Sequence, residues 1–187
     1  MFFLIDFLIK ICYNIFIRKI IRNFWRSILN IYVDGSAKPN PGKGGYSVIV
    51  MNDNNQVEIC YAHYEDNTTN NRQELKAILY ALIRWGKKLS DLNWHNSIPI
   101  VYSDSAYSIN TLTNWMFSWK NNGWKKTNNQ IPENLDLIQE YYNLYEQGYR
   151  IDLRKIKGHA GHIGNELADK LATREMTIEE VMNYGRK

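Results

Sequence analysis

The chain has 187 residues, 44% hydrophobic, 13% aromatic and 22% charged, enough apolar material for one ordinary domain with a buried core and too much for a disordered or collagen-like chain. Its 23 Lys and Arg stand against 19 Asp and Glu, a formal charge of +4 that nucleic-acid, membrane-surface and ordinary basic proteins all share. Two cysteines, Cys12 and Cys60, exclude a disulfide framework and a CxxC metal site and point to a reducing compartment, cytoplasmic or nuclear.

Residues 1–30 hold Lys10, Arg18, Lys19, Arg22 and Arg26 against Asp6, so the whole surplus lies there and residues 31–187 are formally neutral. Asp6, Lys10, Asn14, Arg18, Arg22 and Arg26 recur every fourth position, which draws a narrow polar stripe along an otherwise apolar helix. The expectation is an amphipathic N-terminal extension suited to organelle targeting, to a membrane surface, or to packing on the domain or a partner. Asp6 and Lys10 interrupt the run of roughly 20 apolar residues that a membrane span needs.

From residue 31 to 174 the pattern is that of a mixed α/β domain, with a tail over 175–187. IYVD (31–34), GYSVIVM (45–51) and QVEICYAHY (56–64) predict three antiparallel strands, the last two joined by an Asn-Asp-Asn-Asn turn. Leu75, Ile78, Leu79, Leu82 and Ile83 fall at helical spacing within 70–88, with Thr69 or Asn70 as the cap and Gly86 near the end. A strand over 98–104, short helices over 106–119, a polar stretch over 120–130 and a helix from Pro132 follow, then a strand over 149–156 and a helix from Gly164 to Arg174.

The chemistry begins at two strand ends. Asp34 and Asp104 each close an apolar run, which places a carboxylate at the carboxyl edge of the sheet, where open α/β folds bind ligands. Glu74, early in the long helix, and Asp169, on the last helix, are within reach of the same edge. Taken one at a time each acid has a plain structural role, as a turn opener, a helix cap or a solvated helix charge. As a group of four without clustered His or Cys, they select a hard cation, Mg²⁺ or Mn²⁺, over zinc. PGKGG (41–45) is no nucleotide-binding loop, because no Ser or Thr follows the Lys.

YVDGSAKPNPGKGGYSV (32–48), TTNNRQELKAI (68–78), VYSDSAYSI (101–109) and IKGHAGHIGNELADKLA (156–172) resemble the successive motifs of type 1 ribonuclease H. The resemblance implies the ribonuclease H-like α/β fold, a five-stranded mixed sheet of three antiparallel then two parallel strands, flanked by helices. It also implies metal-dependent endonucleolytic hydrolysis of the RNA strand of RNA·DNA hybrids by two Mg²⁺ ions, with Mn²⁺ as the alternative, leaving 5′-phosphate and 3′-hydroxyl ends. A monomer without a small-molecule cofactor is expected.

Carried over by position, Asp34, Glu74, Asp104 and Asp169 match the family's metal-binding carboxylates, with Asp34 as the bridging one, and His159, flanked by Gly158 and Gly161, matches its catalytic-loop histidine. Asn40, Asn70 and Asn71, with the backbone of Gly35 and Ser36, match positions that touch the minor groove, where a 2′-hydroxyl marks RNA. Tyr107, Trp115 and Trp119 match the aromatic wall against the DNA strand, and Thr69 and Asn134 match its phosphate pocket. Lys120, Trp124, Lys125 and Lys126, in KNNGWKKTNNQ (120–130), resemble the family's basic protrusion, aromatic and cationic as a backbone-binding surface should be. Two positions depart from the pattern: Asn67, where relatives often carry Arg, and Ala106, where some carry Gln.

Overall fold

The computed structural model describes residues 30–91 and 98–185. The amphipathic helix expected within 1–30 lies outside them, apart from Asn30, which opens the first strand. Among the described residues no helix is long and apolar enough to cross a membrane.

Strands β1 (Asn30–Ala37), β2 (Gly42–Met51) and β3 (Val57–Thr68) pair antiparallel in succession, and β5 (Ile100–Ser103) and β7 (Asp152–Lys155) add in parallel, giving the order β3-β2-β1-β5-β7. This is the five-stranded mixed sheet expected from the sequence. A two-residue ribbon of β4 (Lys87–Lys88) and β6 (Tyr149–Arg150) stands apart from it. The helices are α1 (Asn70–Trp85), α2 (Ala106–Asn110), α3 (Met116–Asn121), α4 (Leu135–Glu146), α5 (Ile163–Ala172) and α6 (Ile178–Met182), with a π-helical turn over Thr111–Trp115 between α2 and α3.

Both faces of the sheet are covered, so its central strands read as apolar runs rather than as an alternation. On one face Ile31, Val33, Val48, Val50 and Val101 pack with Leu75, Ile78 and Leu82 of α1 and Ile138 of α4. On the other, Ile49, Met51 and Val57 pack with Leu167, Ala168 and Leu171 of α5 and Val181 of α6. Leu82, 1% exposed, is one of many such side chains, each worth about 1.5–3 kcal/mol of burial.

Several boundaries differ from the sequence expectation. The long helix ends at Trp85, three residues early, because Gly86 turns extended and Lys87–Lys88 leave to pair with Tyr149–Arg150. That pairing divides the strand expected over 149–156 into β6 and β7 at Ile151. The fourth helix starts at Leu135 rather than Pro132, after Asn134 adopts a left-handed backbone. α5 stops at Ala172, with Arg174 at φ 64°. The tail beyond 174 is no plain tail: α6 seats Val181, 0% exposed, against Met51 and Val57.

Candidate active site

The parallel register sets the first two acids side by side. Asn30, Ile31 and Tyr32 lie opposite Ile100, Val101 and Tyr102, and the same register carried two residues further points Asp34 toward Asp104, just past the end of β5, whose charge acts on it. Gly35 then admits the third. A Cβ at Gly35 would lie 2.2 Å from the backbone N of Glu74, so only glycine lets β1 approach the first turns of α1 closely enough to bring Glu74 beside Asp34. Asp169, on α5, completes the group.

Electrostatics confirms the convergence. Burial pushes the Asp34 carboxyl well above the usual carboxylate range, and the charges of Asp104, Asp169 and Glu74 push it further, against a lowering hydrogen bond from the Gly35 backbone. Burial likewise raises Glu74 to about 6, and Asp104 adds to it, while hydrogen bonds from Ser105 and Ser108 hold it down. None of the four enters an ion pair among the described residues. Like charges held together without a cationic side chain are what a bound cation would relieve.

Supporting side chains fix two of the acids. Ser105 donates its hydroxyl to Glu74 Oε2, and Ser108 donates to the same oxygen at 3.3 Å. Asn165 Nδ2 donates to Asp104 Oδ2 at 3.1 Å, while the buried Asn165 Oδ1 has no protein partner. The sequence reading singled out none of the three. Asn165 alone left a signal, one helical turn before Asp169 and so on the same face of α5. The loop holding His159 passes directly beneath Asp104, since a Cβ at Gly158 would stand 2.7 Å from Asp104 Oδ2. His159 itself is exposed, with φ 51°.

The predicted substrate positions form two flanks. On one, Ala37 N donates to Asn70 Oδ1 at 2.6 Å and Asn70 N donates to Asn40 Oδ1 at 3.2 Å, tying the hairpin after Ser36 to the start of α1 beside Asn71. On the other, Tyr107, Trp115 and Trp119 make a continuous ledge with ring centroids 6.2 and 5.9 Å apart. Thr69 caps α1 by accepting from Arg72 N at 3.3 Å, and Arg72 Nη1 donates to Asn134 Oδ1 at 3.3 Å. Arg72, also unforeseen, therefore links the two residues expected to form one pocket, although Asp136 takes its guanidinium in two further hydrogen bonds of 3.0 and 2.7 Å. In the basic segment Lys120 lies 5.7 Å over Trp124 and 5.8 Å over Tyr142, and Lys125 and Lys126 follow in irregular backbone.

The donor set fits a hard divalent cation: carboxylate oxygens, no sulfur, and an orphaned amide oxygen nearby. As the side chains stand, no group of three or more His, Cys, Asp or Glu among the described residues is drawn together tightly enough to hold an ion.

The sequence model of the family RNase H matches residues 26–177. The chain belongs to the RNase H family. It is 40% identical over 148 residues to "Ribonuclease H" of Dichelobacter nodosus, across 79% of this chain and 91% of that protein. Among solved structures it resembles LC9-RNase H1, described as a type 1 RNase H with the type 2 active-site motif, with a TM-score of 0.63 and 28% identity over 79% of this chain and 71% of that one. The fold also recurs in a foamy viral protease-reverse transcriptase solved in complex with RNA/DNA hybrid, with a TM-score of 0.64 and 18% identity, covering 80% of this chain and 20% of that one. RNase H proteins are divalent-metal-dependent nucleases of RNA paired with DNA, and membership makes this chain an enzyme of that class.

Proposed function

We propose that this chain cuts the RNA strand of RNA·DNA hybrids internally, leaving 5′-phosphate and 3′-hydroxyl ends, with Asp34, Glu74, Asp104 and Asp169 as its catalytic carboxylates. The observation that carries the reading is the buried Asp34 carboxylate, its pKa raised first by that burial and then by the charges of Asp104, Asp169 and Glu74, with no ion pair among the described residues to answer them. Such an arrangement opposes folding on its own, and a bound cation would relieve it.

Two Mg²⁺ ions bound there would supply an activated water and neutralise charge on the leaving oxygen. Asp34, Glu74, Asp104 and Asp169 would together hold them, with Asp34 the most buried of the acids facing its neighbours' charge. Asn165 holds Asp104 in place by its hydrogen bond, and Ser105 and Ser108 hold Glu74 and lower its pKa. His159, on the exposed loop that runs against Asp104, would pass a proton to solvent or help product leave. The Asn40–Asn70 flank with Gly35, Ser36 and Asn71 takes the RNA side of the minor groove, and the Tyr107–Trp115–Trp119 ledge takes the DNA strand. Thr69 and Asn134 take a DNA phosphate, and Lys120, Trp124, Lys125 and Lys126 clasp the backbone beyond it. The working form is a monomer in a reducing compartment, with residues 1–30 as a targeting or membrane-surface segment.

The test is one end-labelled hybrid run beside double-stranded RNA and double-stranded DNA, with and without Mg²⁺, for the chain and for Asp34→Asn. Cleavage confined to the RNA of the hybrid, dependent on Mg²⁺ and lost in Asp34→Asn, is expected. Equal cutting of the DNA duplex, or full activity in Asp34→Asn, would overturn the assignment.

A further inference from the structure

Beside the acids, where the β1–β2 hairpin meets the end of α5, lies an open cavity of about 130 Å³ whose lining includes Ser36, Lys38, Lys43, Thr173 and Arg174. It holds three cations and no acid, in a domain that is formally neutral over residues 31–187. None of the three enters an ion pair among the described residues.

These cations are placed, not merely adjacent. Lys38 N donates to Lys43 O at 2.8 Å, which closes the hairpin and sets both lysines at one turn. Arg174 takes a left-handed backbone just past α5, and its guanidinium lies 4.3 Å over the ring of Tyr64. Tyr64 is itself fixed by donating its hydroxyl to Leu171 O at 2.7 Å. A guanidinium stacked on an aromatic face keeps its in-plane N–H donors free, the geometry that suits a phosphate oxygen. At this volume the cavity suits one phosphate group rather than a nucleoside, since small-molecule sites run to roughly 300–1,000 Å³.

Its position says which phosphate. Ser36 is two residues beyond Asp34 on the same strand, about 7 Å along β1, and Thr173 is one helical turn beyond Asp169, donating its hydroxyl to Asp169 O at 2.9 Å. The cavity therefore continues the path of whichever strand crosses the acids. We propose that Lys38, Lys43 and Arg174 form a subsite for a backbone phosphodiester of the strand being cut, adjacent to the scissile linkage. The proposal rests on the reading of the acids given above, and on that reading the strand is RNA.

The test uses the full chain, the variant Lys38→Ala/Lys43→Ala/Arg174→Ala, and the charge-preserving Lys38→Arg/Lys43→Arg. Circular dichroism melting confirms folding; if the triple variant melts early, the three single alanine variants carry the same test. Hybrid affinity is measured in EDTA over a range of salt, with cleavage of the same hybrid followed in Mg²⁺. The triple variant should bind about tenfold more weakly at low salt, with a salt slope smaller by about one, and the Arg variant should recover most of the loss. A single methylphosphonate at one RNA linkage near the cut should weaken the unmodified chain and leave the triple variant's affinity unchanged. If the chain cuts the hybrid but the triple variant binds with the same affinity and slope, or the sensitive linkage lies on the DNA strand, the subsite is refuted and the assignment of the acids stands. If the chain does not cut the hybrid at all, that assignment fails and the strand assignment falls with it.

Discussion

The side-chain amide of Asn165 reaches Asp104 at 3.1 Å, across 61 positions of sequence, and is 2% exposed. It donates to the carboxylate from the first turn of α5 and so restrains the rotation of that group. Partners of this kind are worth about 10–100-fold in activity at metal sites. Asn165→Ala should lower kcat on hybrid by that order with KM little changed, in steady-state kinetics on a protein that still melts cooperatively. An unchanged kcat would show that Asp104 needs no such support.

Ser108 offers a cleaner handle on Glu74 than Ser105, whose hydroxyl also caps α2 by accepting from Ser108 N at 3.1 Å. Both hydroxyls lower a pKa that burial has pushed up to about 6. Removing one donor raises it further. Ser108→Ala should therefore move the acid limb of the pH–rate profile upward by about half a pH unit, and more Mg²⁺ should pull it back. A limb that stays put at every Mg²⁺ concentration would mean that Glu74 does not control it.

Stability without metal should carry the same signature with a defined sign. Glu74 has a folded pKa of about 6 against an ordinary 4.5, so its protonated form favours the fold below about 4.5 and that contribution is lost as pH rises through 6. At pH 7.5 the penalty is about 2 kcal/mol, and Asp34 shifts in the same direction. In EDTA, Glu74→Gln should therefore be more stable than the parent at pH 7.5 by about that amount and equal to it near pH 4. Denaturant melts at the two pH values decide the matter; a difference independent of pH would refute it.

Gly35→Ala tests the approach of β1 to α1. The new Cβ would meet Glu74 N at 2.2 Å and Gln73 C at 2.3 Å, both backbone atoms that no rotamer change can clear. Strand and helix would have to part, at a cost of about 3 kcal/mol, and thermal melting should report a loss of that size together with most of the activity.

At the other end of the chain, Thr177 and Glu180 form a reciprocal capping box on α6: Glu180 N donates to Thr177 Oγ1 at 3.2 Å, and Thr177 N donates to Glu180 Oε2 at 2.8 Å. Thr177→Ala should cost about 1 kcal/mol and leave kcat unaltered, because α6 supports the sheet from the side away from α1.

What could be read from the sequence follows from where the determining forces lie. β1 and β5 announced themselves because a strand buried on both faces is a continuous apolar run, and an acid directly after such a run has few places to go. α6 did not, because five residues with one fully buried Val181 give no period, although the Thr177-x-x-Glu180 spacing was a readable cap. β6 and β7 read as one strand because two-residue pairing with Lys87–Lys88 is a tertiary event with no local signature. The supporting residues were the least legible. Ser108, Asn165 and Arg72 are ordinary helix residues until the fold sets Glu74, Asp104 and Asn134 within reach.

The hydrogen bonds from Ala37 to Asn70 and from Asn70 to Asn40 place one further demand on any duplex that docks there. Immobilising a side chain on association costs about 0.5–1.5 kcal/mol, but the side chains of Asn40 and Asn70 are already held by backbone N–H groups, of Asn70 and Ala37 respectively, before anything arrives. The loss of freedom is settled during folding, once, rather than at every encounter. Such a surface works as a rigid gauge of groove shape: a helix of the wrong form must do the bending itself, and its elastic energy becomes part of the selectivity.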